Sequence, residues 1–422
     1  MKFTPLRRLL GAASFSAMAL LLVSCGASNT IDFLYVTSNQ DNPGQINVYE
    51  VNSQSGALYQ IADSPYPSGG RNPVYEVASP NGLSLYVINH DDNTIIQFLI
   101  GTDGKLYPVQ TVNTPGTEPV AMAINATGTF LYVLDYYAPA APGQPSFTDL
   151  NPGPGAVVVY PIDSSTGNLG SPLTTGAANY WNVQCFPSNL AVTPDGNFLY
   201  VANPNTVIVT TSPPVTGTVP ILPASCPSSG TVSAFAVSSS GLTPVGSSPP
   251  GSTYSDPSAI SIGAGSAPTA VIADPSSSRI YVTDAGKNQL DAYDIQSGGA
   301  LSLLSTLSAG TMPMGGTIVD NKFLYVTNYG DGTLGLYALG SAGPTYVSTS
   351  TAGSSGPLCV IVDPNVDRYL YIADYTGGTV GGSELDPTTG SLITNKGAPY
   401  HTSGQPTCVA AIPHKGGNAH NL

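Results

Sequence analysis

The sequence predicts an all-β protein: a propeller of seven four-stranded antiparallel blades, closed by a C-terminal strand that completes the first blade. Three observations predict it. Phe33-Leu34-Tyr35-Val36 returns as Leu85-Tyr86-Val87, Leu131-Tyr132-Val133, Leu199-Tyr200-Val201, Ile280-Tyr281-Val282, Leu324-Tyr325-Val326 and Leu370-Tyr371-Ile372. The tyrosines lie 51, 46, 68, 81, 44 and 46 residues apart, a basic unit of about 45 residues, the period of a four-stranded blade. A proline precedes six of them by 12 to 14 residues, at Pro73, Pro119, Pro187, Pro268, Pro313 and Pro357. The chain then finishes on Pro406-Thr407-Cys408-Val409-Ala410-Ala411-Ile412, a Pro-opened strand with no Tyr strand after it, whereas the first Tyr strand has no Pro-opened strand before it.

Proline is tolerated at the first residue of a strand but not inside one, so each proline marks the start of the innermost strand. A Gly-bearing turn follows, as in Ser79-Pro80-Asn81-Gly82 and Thr193-Pro194-Asp195-Gly196, and leads into the Tyr strand. The third strand is centred on an aromatic residue: Tyr49, Phe98, Tyr160, Phe235, Tyr293 or Tyr337, with Ser383 in the last unit. A Gly-x-Leu turn, as in Gly56-Ala57-Leu58, Gly104-Lys105-Leu106 and Gly390-Ser391-Leu392, opens the fourth. The strands read as apolar runs because blade sheets are packed on both faces. Pairing residues 406–412 with residues 32–38 would close the ring and remove its inner edge.

Composition agrees with short strands and tight turns: 47 Gly and 38 Pro against 36 charged residues in 422. The formal net charge of −14 argues against phosphate backbones, so nucleic acid is not expected as a partner. At the N-terminus, Lys2, Arg7 and Arg8 precede an apolar run from Ala12 to Val23 and then Leu22-Val23-Ser24-Cys25. That arrangement resembles a bacterial lipoprotein signal, too short to be read as a spanning helix. The resemblance implies cleavage before Cys25, acylation of that cysteine, and a lipid-anchored protein of the cell envelope. Gly26 at the next position points to the outer membrane, with the domain facing the periplasm or the exterior. The expected organisation is a signal peptide at 1–24, a lipidated Cys and short linker at 25–30, one propeller at 31–413 and a tail at 414–422.

The Pro-strand, turn and Leu-Tyr-Val-x-Asn pattern, clearest from Phe186 to Asn203, resembles the propellers of the YVTN-repeat and lactonase (6-phosphogluconolactonase-like) family. The resemblance implies the fold over nearly the whole mature chain. It also implies lactone hydrolysis by Arg, His and Glu gathered at the channel, one histidine lying near the middle of the chain. This sequence departs from that set. His90, His401, His414 and His420 are its only histidines, and Arg71, Arg279 and Arg368 its only arginines beyond the signal.

Long loops at 136–155, 174–186, 204–230 and 247–267 should share the face on which the inner strands begin, a usual place for a binding surface. Tyr136, Tyr137, Tyr180 and Trp181 in or beside them could stack on sugars or anchor a protein partner, or could simply pack down on the ring. Asn89, Asp135, Asn203, Asp284, Asn328 and Asp374, three residues after each later tyrosine, read as Asx-type strand ends and not as metal ligands. Glu76 replaces the Met, Leu, Val or Gly of other blades, and a buried carboxylate must be paired, hydrogen-bonded or protonated. Arg71, His90, Asp91 and Asp92 are its candidate neighbours, as a structural Arg71–Glu76 pair or as an acid/base cluster over the channel. Cys185 and Cys226 suit a disulfide pinning the long insertion, whereas Cys359 and Cys408, on adjacent inner strands, suit either free thiols or a bridge. No metal site or cofactor is expected. The preferred reading is a lipid-anchored, non-catalytic module that binds a protein or glycan through its long-loop face; the alternative is a lactone hydrolase centred on Arg71, Glu76 and His90.

Overall fold

The computed structural model describes residues 29–39, 42–140, 143–148, 151–205, 226–227, 229–246, 258–353 and 355–414. The expected signal peptide, Cys25, most of the 204–230 and 247–267 loops and most of the tail lie outside the described residues. Seven antiparallel sheets form the ring, and their inner strands follow one another in a closed circle. Blade 1 has the order Leu58–Gln60, Gln45–Asn52, Thr30–Ser38, Pro406–Pro413, so both ends of the described chain share one sheet. Its register sets Phe33 opposite Ile412, Tyr35 opposite Ala410 and Thr37 opposite Cys408. The closure expected from residues 406–412 and 32–38 is therefore the closure observed.

The core lies in the seams. Between blades 1 and 2, for example, Phe33, Tyr35, Ile46 and Val48 meet Leu85, Val87, Ile96 and Phe98. The repeated tyrosine and the repeated turn glycine prove to be partners across these seams. Tyr35 donates its phenolic hydrogen to the Gly104 carbonyl at 3.1 Å, Tyr200 to Gly299 at 2.9 Å, Tyr325 to Gly390 at 2.6 Å and Tyr371 to Gly56 at 2.8 Å. Each of these turn glycines has positive φ, and a Cβ there would meet the aromatic ring two residues before the donor tyrosine: Phe33 at Gly104, Phe198 at Gly299, Phe323 at Gly390 and Tyr369 at Gly56. Glycine is thus required both for the turn and for the ring that rests on it.

Short extra strands at Tyr66–Pro67, Ala259–Ser261 and Tyr400–His401 pair with the third strands of blades 1, 4 and 7, beyond the four expected per blade. The outer strand of blade 3 also departs from expectation. Trp181–Cys185, read as loop, forms the outer strand of blade 3, while the Gly167-Asn168-Leu169 turn leads only to an isolated bridge between Ile162 and Leu169. Pro172 lacks the N–H an edge strand would use, and pairing resumes where the buried Trp181 ring packs with Leu199, Phe235 and Leu242 of blade 4.

Candidate functional site

The inner strands of the blades wall an axial cavity of about 660 Å³. Its wall is apolar over much of its area, with Met122, Val192, Ile272 and Ile361 among the contributors; Glu76, Asn189, Thr269, Thr317 and Thr407 supply polar groups. The described lining contains no Lys, Arg or His. Tyr75 reaches from blade 2 to the side chain of Asn189 in blade 4, and Asn189 Oδ1 accepts the Val271 N–H at 3.1 Å.

Glu76 is 2% exposed and faces the closing blade. Its carboxyl is bonded to the Thr37 hydroxyl and, at 3.4 Å, accepts the Thr37 N–H. Thr37 Oγ1 lies 2.8 Å from Thr407 Oγ1, which donates to the Pro73 carbonyl at 2.9 Å. Thus the N-terminal strand, the C-terminal strand and blade 2 meet in one chain of hydroxyls. Blade 5 repeats the device without a carboxyl: Thr269 and Thr283 hydroxyls are 2.8 Å apart, and Thr269 bonds to the Pro313 carbonyl. Burial pushes the Glu76 carboxyl up to about 8, the two Thr37 contacts offsetting only part of the desolvation.

Arg71 does not pair with Glu76, which corrects one of the two sequence readings. Its side chain is half exposed, its Nε donates to Asp92 Oδ1 at 2.7 Å and its Nη2 to the Asp91 carbonyl at 3.0 Å. Asp92 is held below the ordinary carboxylate range by that guanidinium. His90 lies in a short 3-10 turn, His90–Asp92, with Nδ1 2.8 Å from Asp91 Oδ1 and Nε2 3.9 Å from Glu118 Oε2. Asn93, at the end of that turn, has φ 55° and accepts the Glu118 N–H on its side chain at 2.6 Å. Asn288 of blade 5 repeats this toward Met312 at 2.9 Å. The His90 loop is therefore set by a framework common to two seams. Arg71, His90 and Asp91 form an outer acid-rich cluster, and Glu76 belongs to the inner hydroxyl chain.

On the same face, Cys185 and Cys226 form a disulfide with Cα atoms 5.7 Å apart and χ3 of −81°. They join Tyr137 and Phe186 in a small core against which Tyr136 and Phe147 pack, Tyr136 lying 4.9 Å from Tyr137 and 5.6 Å from Phe186 between ring centroids. Tyr137 and Trp181 are buried, so neither offers a ring face for stacking; Tyr136 and Tyr180 are half-buried. Their apolar area is better satisfied against neighbouring strands than in water. Cys359 and Cys408 are also joined, across the seam between blades 7 and 1, with Cα atoms 5.1 Å apart. Among the described residues, no group of three or more His, Cys, Asp or Glu is placed to hold a metal ion.

Thr37 and Thr407 were not among the residues singled out from the sequence. A signal was present: Pro406-Thr407 and Tyr35-Val36-Thr37 repeat as Pro268-Thr269 and Tyr281-Val282-Thr283.

A closed ring of seven antiparallel sheets around an axial cavity defines a β-propeller. The chain belongs to the lactonase family of seven-bladed β-propellers, whose sequence model matches residues 32–138 and 248–411. Among solved structures, a candidate 6-phosphogluconolactonase from Bacteroides uniformis is similar at 18% identity and TM-score 0.66, covering 91% of this chain and 100% of that one. The periplasmic gluconolactonase of Pseudomonas aeruginosa is similar at 16% identity and TM-score 0.66, covering 91% and 99%. At these identities the likeness is one of fold. No curated protein matches the sequence.

Proposed function

We propose that this protein is a lipid-anchored, extracytoplasmic propeller that binds a protein or glycan partner through its long-loop face and does not catalyse lactone opening. The observation that carries this reading is the separation of the three candidate catalytic groups: Glu76 is bonded to Thr37, Arg71 to Asp92, and His90 faces Asp91. Lactone hydrolysis needs a base or an activated water together with groups that stabilise developing negative charge. The described cavity lining supplies one buried carboxyl and no cation. The loop face instead carries a disulfide-pinned aromatic cluster, a rigid support for a binding loop.

The second reading, a lactone hydrolase with a reduced site, is favoured by family membership and by the Glu76 carboxyl on the cavity wall. A panel of γ- and δ-lactones, sugar lactones included, separates the two. The binding reading expects wild type and Glu76→Gln both to match the uncatalysed rate, while a glycan array or cross-linking on intact cells gives saturable binding that Cys226→Ser weakens. Turnover by wild type that Glu76→Gln abolishes would reject it.

A further inference from the structure

Asp32 and Asp363 meet across the seam that closes the ring, on the face opposite the long loops. Asp32 is the third residue of the Tyr strand of blade 1, opposite Pro413, and Asp363 lies in the turn after the inner strand of blade 7. Both are fully buried. Their surroundings differ in one respect. Asp363 accepts three backbone N–H groups, from Val366 at 2.8 Å, Arg368 at 2.7 Å and Tyr369 at 2.6 Å. Asn365 of the same turn donates its side-chain N–H to the Ile31 carbonyl at 3.1 Å, which sets the turn against Asp32. No donor among the described residues reaches either oxygen of Asp32, whose side chain faces Asp363. A carboxylate fed by three N–H groups is the better anion. Asp32 can therefore bond to it only by keeping its own proton.

We propose that the Asp32–Asp363 pair is a proton-dependent latch on ring closure: one shared proton holds blade 7 to the terminal strands of blade 1, and its loss loosens that end of the seam. The other titratable and charged groups around the pair do not replace the proton. Asp367 adds negative charge. Arg368 is bonded to Glu384, and the Tyr369 and Tyr371 phenols donate to the Ser53 and Gly56 carbonyls. His414 Nδ1 lies 3.2 Å from the Thr30 carbonyl. Burial and the neighbouring Asp363 push the Asp32 carboxyl up to about 8, so the proton is retained through neutral pH and lost above it. Two buried anions would then face each other across the seam. The Cys359–Cys408 bridge crosses the same seam farther along the closing strand, so opening should be confined to the Asp32 end.

Amide hydrogen exchange on the folded protein, normalised to intrinsic rates, tests this at pH 6 and pH 9. Protection at Leu34, Ile412 and His414 should fall about tenfold or more between the two, while Tyr200 and Val201 in blade 4 change little. Asp32→Asn should remove the difference. Protection in wild type that is independent of pH, or that falls equally around the ring, overturns the latch even if the variant does not fold. A fall that persists in Asp32→Asn also overturns it. So does calcium restoring protection at pH 9, which would make the pair a cation site.

Discussion

Tyr371 in blade 7 donates its phenolic hydrogen to the carbonyl oxygen of Gly56 in blade 1 across 2.8 Å, although 315 residues separate them in the chain. The bond is the same one that Tyr200 makes to Gly299 between blades 4 and 5. The closing seam is therefore built to the same pattern as an interior seam. Ring closure adds contacts to that pattern; it does not replace it.

Removing one such phenol should cost about 1 kcal/mol, the usual net value of a hydrogen bond, because the Gly carbonyl loses its donor. Tyr200→Phe and Tyr371→Phe are expected to destabilise by similar amounts in denaturant unfolding. Gly299→Ala should cost more, about 1–3 kcal/mol, since its φ is 90° and a Cβ would sit 2.5 Å from a Phe198 ring carbon.

Asp135 occupies the position held by Asn89, Asn203 and Asn328 in other blades. Its Oδ2 accepts the Gly116 N–H at 2.9 Å, its Oδ1 meets no donor among the described residues, and burial pushes the carboxyl up to about 8. The folded state thus binds this proton more tightly than the unfolded state. The contribution to stability is complete below the ordinary value of 3.8 and is lost as pH rises through about 8, with a limiting slope of about 1.4 kcal/mol per pH unit. Melting followed from pH 5 to pH 8 should fall less steeply for Asp135→Asn than for wild type, and the variant should be the more stable of the two at pH 8.

The two disulfides give a direct mapping experiment. Peptides linked through Cys185–Cys226 and Cys359–Cys408 are expected in a non-reducing digest, and mixed pairs are not. Cys226→Ser should lower stability by about 2–4 kcal/mol and expose the 204–230 segment to protease. Blade 7, which is not adjacent to blade 4 in the ring, should keep its resistance.

Lipidation at Cys25 predicts that the protein fractionates with membranes and incorporates labelled fatty acid. Cys25→Ser should release it to the soluble fraction with its fold intact, because the first described strand begins at Thr30. Unchanged membrane association in the variant would count against the anchor.

Much of the architecture could be read from spacing alone. Pro73, Tyr86, Phe98 and Gly104 each belong to a local pattern that recurs around the ring, and each pattern has a local cause: a strand start, a seam tyrosine, a third-strand core ring or a left-handed turn. Trp181 was harder because it has no counterpart in the other blades. Its position in an outer strand follows from the apolar space at the blade 4 seam, which adjacent residues do not report.

The candidate site divides the same way. That Glu76 would be buried was legible, because it stands where other blades place Met122, Leu190 or Val271. Its partner was not, since Thr37 lies in a different blade, and Arg71, nearer in sequence, turns to Asp92. By itself the sequence determined the number of blades, the closure by the terminal strands and the residues that enter the seams, because strand periodicity and turn chemistry are short-range. Only the tertiary structure decided which buried carboxyl meets which hydroxyl or carboxyl. Those pairings form where two blades touch, and desolvation at that contact governs whether the proton stays.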